Sequence, residues 1–141
     1  MKTIIGIDPG AINGVAISTY AKIRDFKSLT FWETTEELKR AKMLSDSIEV
    51  WIEDPGKNKP VFLKKGCDNE KAYRRVAQNV GANKRDAQLL IEFCKLNYIP
   101  VIAVRPSRKK PNAAEFANLT GITERLNQHE RDAGMLIFGR K

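Results

Sequence analysis

Residues 3–18 read TIIGIDPGAINGVAIS, and the interpretation of the whole chain depends on this stretch. Two apolar runs flank a polar segment, and the first run ends on Asp8, which Pro9 and Gly10 follow at once. A carboxylate at the end of a buried strand is costly unless a cation or a hydrogen-bond donor faces it. Asp8 is therefore either a turn residue or the first part of a site.

The length and composition indicate one globular domain spanning residues 1–141, with 42% hydrophobic and 30% charged residues. No run approaches the roughly 18 apolar residues of a membrane span, and the first run is too short for a signal peptide. We therefore expect a cytoplasmic protein without a membrane partner. In that compartment Cys67 and Cys94 stay reduced.

The net charge of +8 and the clustering of basic residues favour a polyanionic partner, with nucleic acid as the first candidate. Two loops carry most of the clustered charge and are expected to contact DNA phosphates. Their basic residues are Lys57, Lys59, Lys64, Lys65, Arg105, Arg108, Lys109 and Lys110.

Hydrophobic periodicity and turn residues predict five strands and four helices. The predicted strands cover residues 3–8, 14–19, 26–33, 47–53 and 99–104. The predicted helices cover residues 35–44, 69–97, 113–119 and 127–138. Asn13-Gly14 is predicted as a tight turn, Thr35 as a helix cap, Gly81 as a point where the long helix could kink or divide, and Gly121 as a C-cap.

Three strands in succession followed by strands joined through helices predict an α/β protein. The sheet is expected to be mixed, with helices on both of its faces. This order of elements resembles the ribonuclease H-like fold.

Two predicted strands end alike, as IIGIDPG with Asp8 and as VWIEDPG with Glu53. If the two strands are parallel neighbours, both carboxylates emerge at the edge where open α/β sheets place ligands. Adjacent carboxylates repel each other, and a divalent cation between them removes the repulsion. Oxygen ligands of this kind suit Mg²⁺ or Mn²⁺.

The last predicted helix adds His129 and Asp132, which are three residues apart and share a helix face. If that face packs on the sheet, both side chains reach the edge that holds Asp8 and Glu53. Four such ligands support two metal ions about 4 Å apart, the arrangement used for in-line phosphodiester cleavage. Each motif alone is more often a turn or a solvated pair, but the combination is far more specific.

Three stretches resemble the RuvC family of Holliday-junction resolvases across essentially the whole chain: IIGIDPGAINGVAI, VWIEDPG and TGITERLNQHERDAGMLIFG. The last stretch is most similar to the compact phage or prophage members. The resemblance implies a ribonuclease H-like fold with sheet order 32145. It also implies two Mg²⁺ ions in each active site, which Mn²⁺ can replace. By position, the catalytic and metal-binding residues are Asp8, Glu53, His129 and Asp132.

The resemblance further implies a homodimer in a bacterial or phage-infected cell. Its two subunits nick symmetry-related strands of a four-way DNA junction and leave 5′-phosphates. Lys109 or Lys110 is expected to contact the scissile phosphate. The family's aromatic residue after the strand-four acid is replaced here by Asp54-Pro55-Gly56-Lys57, and Phe62 is a substitute further along. His129 stands where many members have Asp, which favours Mn²⁺.

Three other functions fit parts of the sequence. A ribonuclease H-like nuclease could use the same acids on RNA/DNA hybrids or other branched DNA. A sugar-kinase or actin-type ATPase also opens with a Gly-containing strand-turn-strand, but it needs two such domains, so we expect no nucleotide cofactor. A non-catalytic nucleic-acid-binding module would explain the basic loops and leave the acids unexplained.

Overall fold

The computed structural model describes residues 1–57 and 70–141. Its strands are β1 (Lys2–Asp8), β2 (Asn13–Thr19), β3 (Lys22–Leu29), β4 (Ser47–Glu53) and β5 (Val101–Val104). Its helices are α1 (Phe31–Leu44), α2 (Glu70–Leu96), α3 (Ala113–Thr120) and α4 (Gln128–Ile137), with one 3₁₀ turn at Pro55–Lys57. No helix of these described ranges is both long and apolar enough to cross a membrane.

The five strands form one mixed sheet in the order β3-β2-β1-β4-β5, as predicted. β1 pairs antiparallel with β2 and β2 with β3, whereas β1–β4 and β4–β5 are parallel pairs. Ile7 lies opposite Ile52 in the β1–β4 register, so the next residues, Asp8 and Glu53, end neighbouring parallel strands at one edge.

Helices cover both faces of the sheet, as expected. Alternate side chains of a strand point to opposite faces, and the two faces have separate apolar clusters. Ile5 and Ile7 face Leu38 of α1 and Leu90 of α2. Ile4 belongs to the cluster of the opposite face, which contains Ala133 and Ile137 of α4. Asp8 lies an even number of residues from Ile4, so its side chain is on the α4 side.

Glycine in two strands lets α4 lie unusually close to the sheet. A Cβ atom added at Gly6 would lie 2.9 Å from Ile137 Cγ2 and still closer to the carbonyl oxygen of Ala133. A Cβ atom added at Gly14 would lie 2.8 Å from the backbone nitrogen of Glu130 and still closer to the backbone carbonyl of His129. Any larger residue at either position would push α4 away from β1 and β2.

The predicted boundary between β3 and α1 was wrong by about four residues. β3 ends at Leu29, and Thr30, not Thr35, caps α1. The Thr30 hydroxyl accepts from Glu33 N at 3.3 Å, and the Glu33 carboxylate accepts from Thr30 N at 3.0 Å, which completes a capping box. The aromatic residues of TFWE, which favoured a strand, therefore belong to the start of the helix.

The predicted Asn13-Gly14 turn was also wrong, because both residues lie within β2. Residues 9–12 make the connection instead. The buried Asn13 side chain accepts from Gly10 N at 3.1 Å and donates to Thr34 Oγ1 at 2.9 Å, so it fastens the segment after Asp8 to α1. A two-residue turn does occur one strand later, where Tyr20 and Ala21 have φ values of 52° and 62°.

The remaining helices largely follow the predictions. α2 continues through Gly81 without dividing. α3 ends at Gly121, whose φ of 76° is the left-handed C-cap conformation, and Asn127 caps α4. β5 is two residues shorter at its start than predicted.

Burial raises the pKa of the Cys94 thiol to about 12, consistent with a structural core residue. Phe62 and Cys67 lie outside the described residues.

Candidate active site

Two buried carboxylates mark the edge of the sheet where β1 and β4 end. Asp8 exposes 7% of its surface and Glu53 exposes 6%. Both lie on the side of the sheet that α4 covers, because Glu53 is two residues beyond Trp51, which packs in the α4 cluster. The sequence prediction that these acids share one edge is confirmed by the strand order and register.

The first turns of α4 bring the other two predicted site residues to the same edge. Asn127 caps the helix by accepting from Glu130 N at 2.8 Å, and the Glu130 side chain accepts from Asn127 N at 3.0 Å. His129 Nδ1 then lies 2.8 Å from Asp8 Oδ2. Asp132 is one turn further along the helix and exposes only 6% of its surface. β1, β4 and α4 therefore bring all four predicted residues to one edge of the sheet.

Lys110 enters the site from the loop after β5. Its Nζ atom donates to Glu53 Oε1 at 2.7 Å and lies 3.6 Å from Asp132 Oδ2. The sequence prediction gave Lys110 a role in phosphate contact, but it did not predict an ion pair with two of the site acids. The ammonium group therefore lies between Glu53 and Asp132, in a position that attracts a cation.

Burial and neighbouring charge shift two pKa values in the site. Burial raises the pKa of Glu53 to about 7; Lys110 opposes this rise, while hydrogen bonding and repulsion from Asp8 add to it. Burial lowers the pKa of Lys110, but its hydrogen bond to Glu53 and the nearby carboxylates outweigh that effect and raise it overall. Lys110 thus stays charged at neutral pH, and Glu53 is poised close to its titration point.

Gln128 and Arg131 hold Asp132 and the Lys110 loop in place, and neither residue was predicted as part of the site. Gln128 Nε2 donates to Asp132 Oδ1 at 2.7 Å and to the Pro111 carbonyl at 3.2 Å. The Arg131 guanidinium donates to Gln128 Oε1 at 2.9 Å and to the Pro111 carbonyl at 3.2 Å. The i, i+4 spacing of Gln128 and Asp132 was the one sequence signal for this contact.

Only some of the basic residues predicted to bind DNA lie beside the carboxylates. Arg105, Lys109 and Lys110 line a cavity of about 220 Å³ whose other walls include Glu53 and Asp132. Arg108 is exposed on the same loop, and Lys57 is exposed at the end of the turn that follows β4. Lys59, Lys64 and Lys65 lie outside the described residues.

The donor set fits a hard divalent cation. Three buried carboxylates and one imidazole suit Mg²⁺ or Mn²⁺, and the ammonium of Lys110 already occupies a cation position between Glu53 and Asp132. Within residues 1–57 and 70–141, no three His, Cys, Asp or Glu side chains are already arranged as a metal-ligand group. The site acids are instead engaged by His129, Gln128 and Lys110.

No protein-family model matches the chain, and a comparison with curated proteins finds no match either.

Proposed function

We propose that this protein is a metal-dependent, structure-selective DNA endonuclease with a ribonuclease H-like fold, similar to the RuvC resolvases. The observation that carries the proposal is the convergence of Asp8, Glu53, His129 and Asp132 at one sheet edge from three separate parts of the chain. These three acidic residues each expose no more than 7% of their surface, and burying their carboxylates costs folding free energy, which is consistent with a functional role.

Asp8, Glu53 and Asp132 would hold the metal ions, and His129 would complete one of the two sites. The ions would activate water and stabilise the charge that develops on the attacking and leaving oxygens of the phosphodiester. His129, hydrogen-bonded to Asp8, keeps that carboxylate in a fixed orientation. Gln128 fixes Asp132 in the same way.

Arg105 and Lys109 give the cavity beside the acids a positive wall. A basic wall next to a carboxylate cluster suits a backbone phosphate whose charge is shared between the wall and the metal ions. The exposed Lys57 and Arg108 extend this positive surface. Such contacts supply affinity and do not read base sequence, which agrees with selection of DNA by its branched shape.

A four-way junction is the proposed substrate, and a homodimer with two-fold symmetry is the proposed assembly. Each subunit would then nick one of two symmetry-related strands and leave ends with 5′-phosphates. RNA/DNA hybrids and flaps are the competing substrates, because the same metal-binding acids suit hydrolysis of their phosphodiester bonds.

A substrate panel tests the proposal. Wild-type protein should cut a synthetic four-way junction with Mg²⁺ or Mn²⁺ faster than a flap, a hybrid or a linear duplex, and chelator should stop the reaction. Asp132→Asn should abolish cleavage and still bind the junction. Asp25→Asn is the matched control, because Asp25 is 54% exposed on β3 and pairs only loosely with Lys27, at 3.7 Å. Preference for the hybrid would reassign the substrate, and cleavage that survives Asp132→Asn would refute the site.

A further inference from the structure

We propose that Lys110 is an internal counter-ion that occupies the cation position of the metal-free site and competes with divalent metal for Glu53 and Asp132. This inference rests on the proposed function, since it assumes that these carboxylates bind metal. It assigns Lys110 a role before DNA arrives, in addition to any contact with phosphate.

The three buried carboxylates of the site need a positive charge beside them. Asp8, Glu53 and Asp132 expose only 6–7% of their surfaces, so water can neutralise little of their charge. Lys110 Nζ lies 2.7 Å from one of these carboxylates and 3.6 Å from another, whereas its own side chain is 34% exposed. Its ammonium group therefore supplies charge where a metal ion would supply it, and it can leave towards solvent.

The ammonium of Lys110 and a divalent metal ion would both bind the carboxylates of Glu53 and Asp132. A Mg²⁺ ion binds carboxylate oxygens at about 2.0–2.1 Å, and Mn²⁺ uses the same kind of ligand. Lys110 already donates to Glu53 Oε1. Two cations bound to one carboxylate repel each other strongly. Metal binding at Glu53 is therefore in competition with the charge-assisted hydrogen bond from Lys110.

The loop after β5 can release the Lys110 side chain without detaching from α4. The carbonyl of Pro111, the residue after Lys110, accepts from Gln128 Nε2 and from Arg131 Nε, both at 3.2 Å. These bonds anchor the backbone, so displacement needs only rotation of the Lys110 side chain. The released ammonium would join Arg105 and Lys109 along the cavity, which adds positive charge beside a newly bound metal.

Two measurements without DNA test this inference: calorimetric titration with Mn²⁺, and thermal unfolding in chelator and in Mn²⁺. Lys110→Gln should bind Mn²⁺ about tenfold more tightly than wild type, because the metal no longer competes with the ammonium for these carboxylates. The same variant should melt at a lower temperature than wild type in chelator and gain more from Mn²⁺. Lys22→Gln removes the same charge from an exposed position at the start of β3, at the end of the sheet away from the carboxylates, and should match wild type in both measurements.

Lys110→Arg keeps the positive charge and should retain near wild-type Mn²⁺ affinity, which provides a folded comparison if Lys110→Gln is too unstable. If wild type binds Mn²⁺ and Lys110→Gln binds it equally or less tightly, the counter-ion role is refuted. The proposed nuclease site is not affected by that result. If neither wild type nor Lys110→Gln binds Mn²⁺, both the inference and the metal site are refuted. Binding detected only in the variant would support competition.

Discussion

Gly14→Ala is the substitution that most directly tests how the fold positions the site. A Cβ atom at this position would lie 2.8 Å from Glu130 N and closer still to the carbonyl of His129. Ordinary contacts of this kind are about 3.5 Å, so the first turn of α4 must retreat by roughly 1 Å. That turn carries His129 to Asp8, so the displacement acts on the site itself.

The expected loss is large for activity and moderate for stability. Overpacking of this kind costs about 1–3 kcal/mol, and a 1 Å misplacement of catalytic groups can cost on the order of a hundredfold in rate. Urea unfolding followed by circular dichroism gives the first quantity, and single-turnover junction cleavage gives the second. Gly14→Ala should therefore lower the urea midpoint, weaken Mn²⁺ binding and slow cleavage.

Gly81→Ala is the matched control for the same chemical change. Gly81 lies within α2, and among the described residues no atom outside its chain neighbours and its own helix backbone lies within 4 Å of a Cβ atom added there. Replacing glycine by alanine inside a helix stabilises it by about 0.5–1 kcal/mol, so this variant should be slightly more stable than wild type and equally active. A Gly14→Ala protein with the stability, metal affinity and cleavage rate of wild type would refute the close approach of α4 to β2.

Three further predictions concern pH, the support of Asp132 and the capping of α1. In chelator, the free energy of unfolding should fall as pH rises from 4.5 to about 7, because folded Glu53 keeps a proton that the unfolded chain has lost. This decrease in unfolding free energy is at most roughly 3 kcal/mol, and it is smaller to the extent that water reaches the Glu53 carboxyl. Urea titrations at pH 5 and pH 8 should show the decrease in wild type and not in Glu53→Gln. Equal pH dependence in the two proteins would contradict the prediction. Gln128→Ala removes the donor to Asp132 Oδ1, so it should reduce metal affinity about 10–100-fold and cost about 1–3 kcal/mol of stability. Calorimetry on the folded variant that finds wild-type affinity would exclude this positioning role. Thr30→Ala should cost about 1 kcal/mol of stability through loss of the capping box and leave Mn²⁺ affinity unchanged; an unaltered urea midpoint would argue against the cap.

The strand-end acids could be predicted because two independent patterns converge on them. IIGIDPG and VWIEDPG each place a carboxylate after an apolar run, and parallel pairing then brings Asp8 and Glu53 together. The three-residue spacing of His129 and Asp132 similarly fixes their common helix face. The strand ends and the helix face follow from periodicity, which local sequence determines. The adjacency of β1 and β4 was expected from the order of strands and helices, which resembles the ribonuclease H-like fold.

The partner of Lys110 could not be predicted, because the path of a loop depends on tertiary contacts. The basic cluster around Lys110 indicated phosphate binding, and nothing in the local sequence indicates that one lysine turns inward to Glu53. The error at Thr30 had a different cause. The pattern Thr-x-x-Glu that ends at Glu33 was present in the sequence, but the aromatic residues between its ends favoured a strand.

The central claim is that the Asp8–Glu53–Asp132 edge is a metal-dependent nuclease site. Cleavage of a synthetic four-way junction by wild type and by Asp8→Asn, in Mg²⁺ and in Mn²⁺, tests it most directly. We expect paired nicks by the wild type with either metal and no cleavage by Asp8→Asn, while both proteins bind the junction. Undiminished cleavage by Asp8→Asn, or no cleavage of the junction by the wild type with either metal, would contradict it.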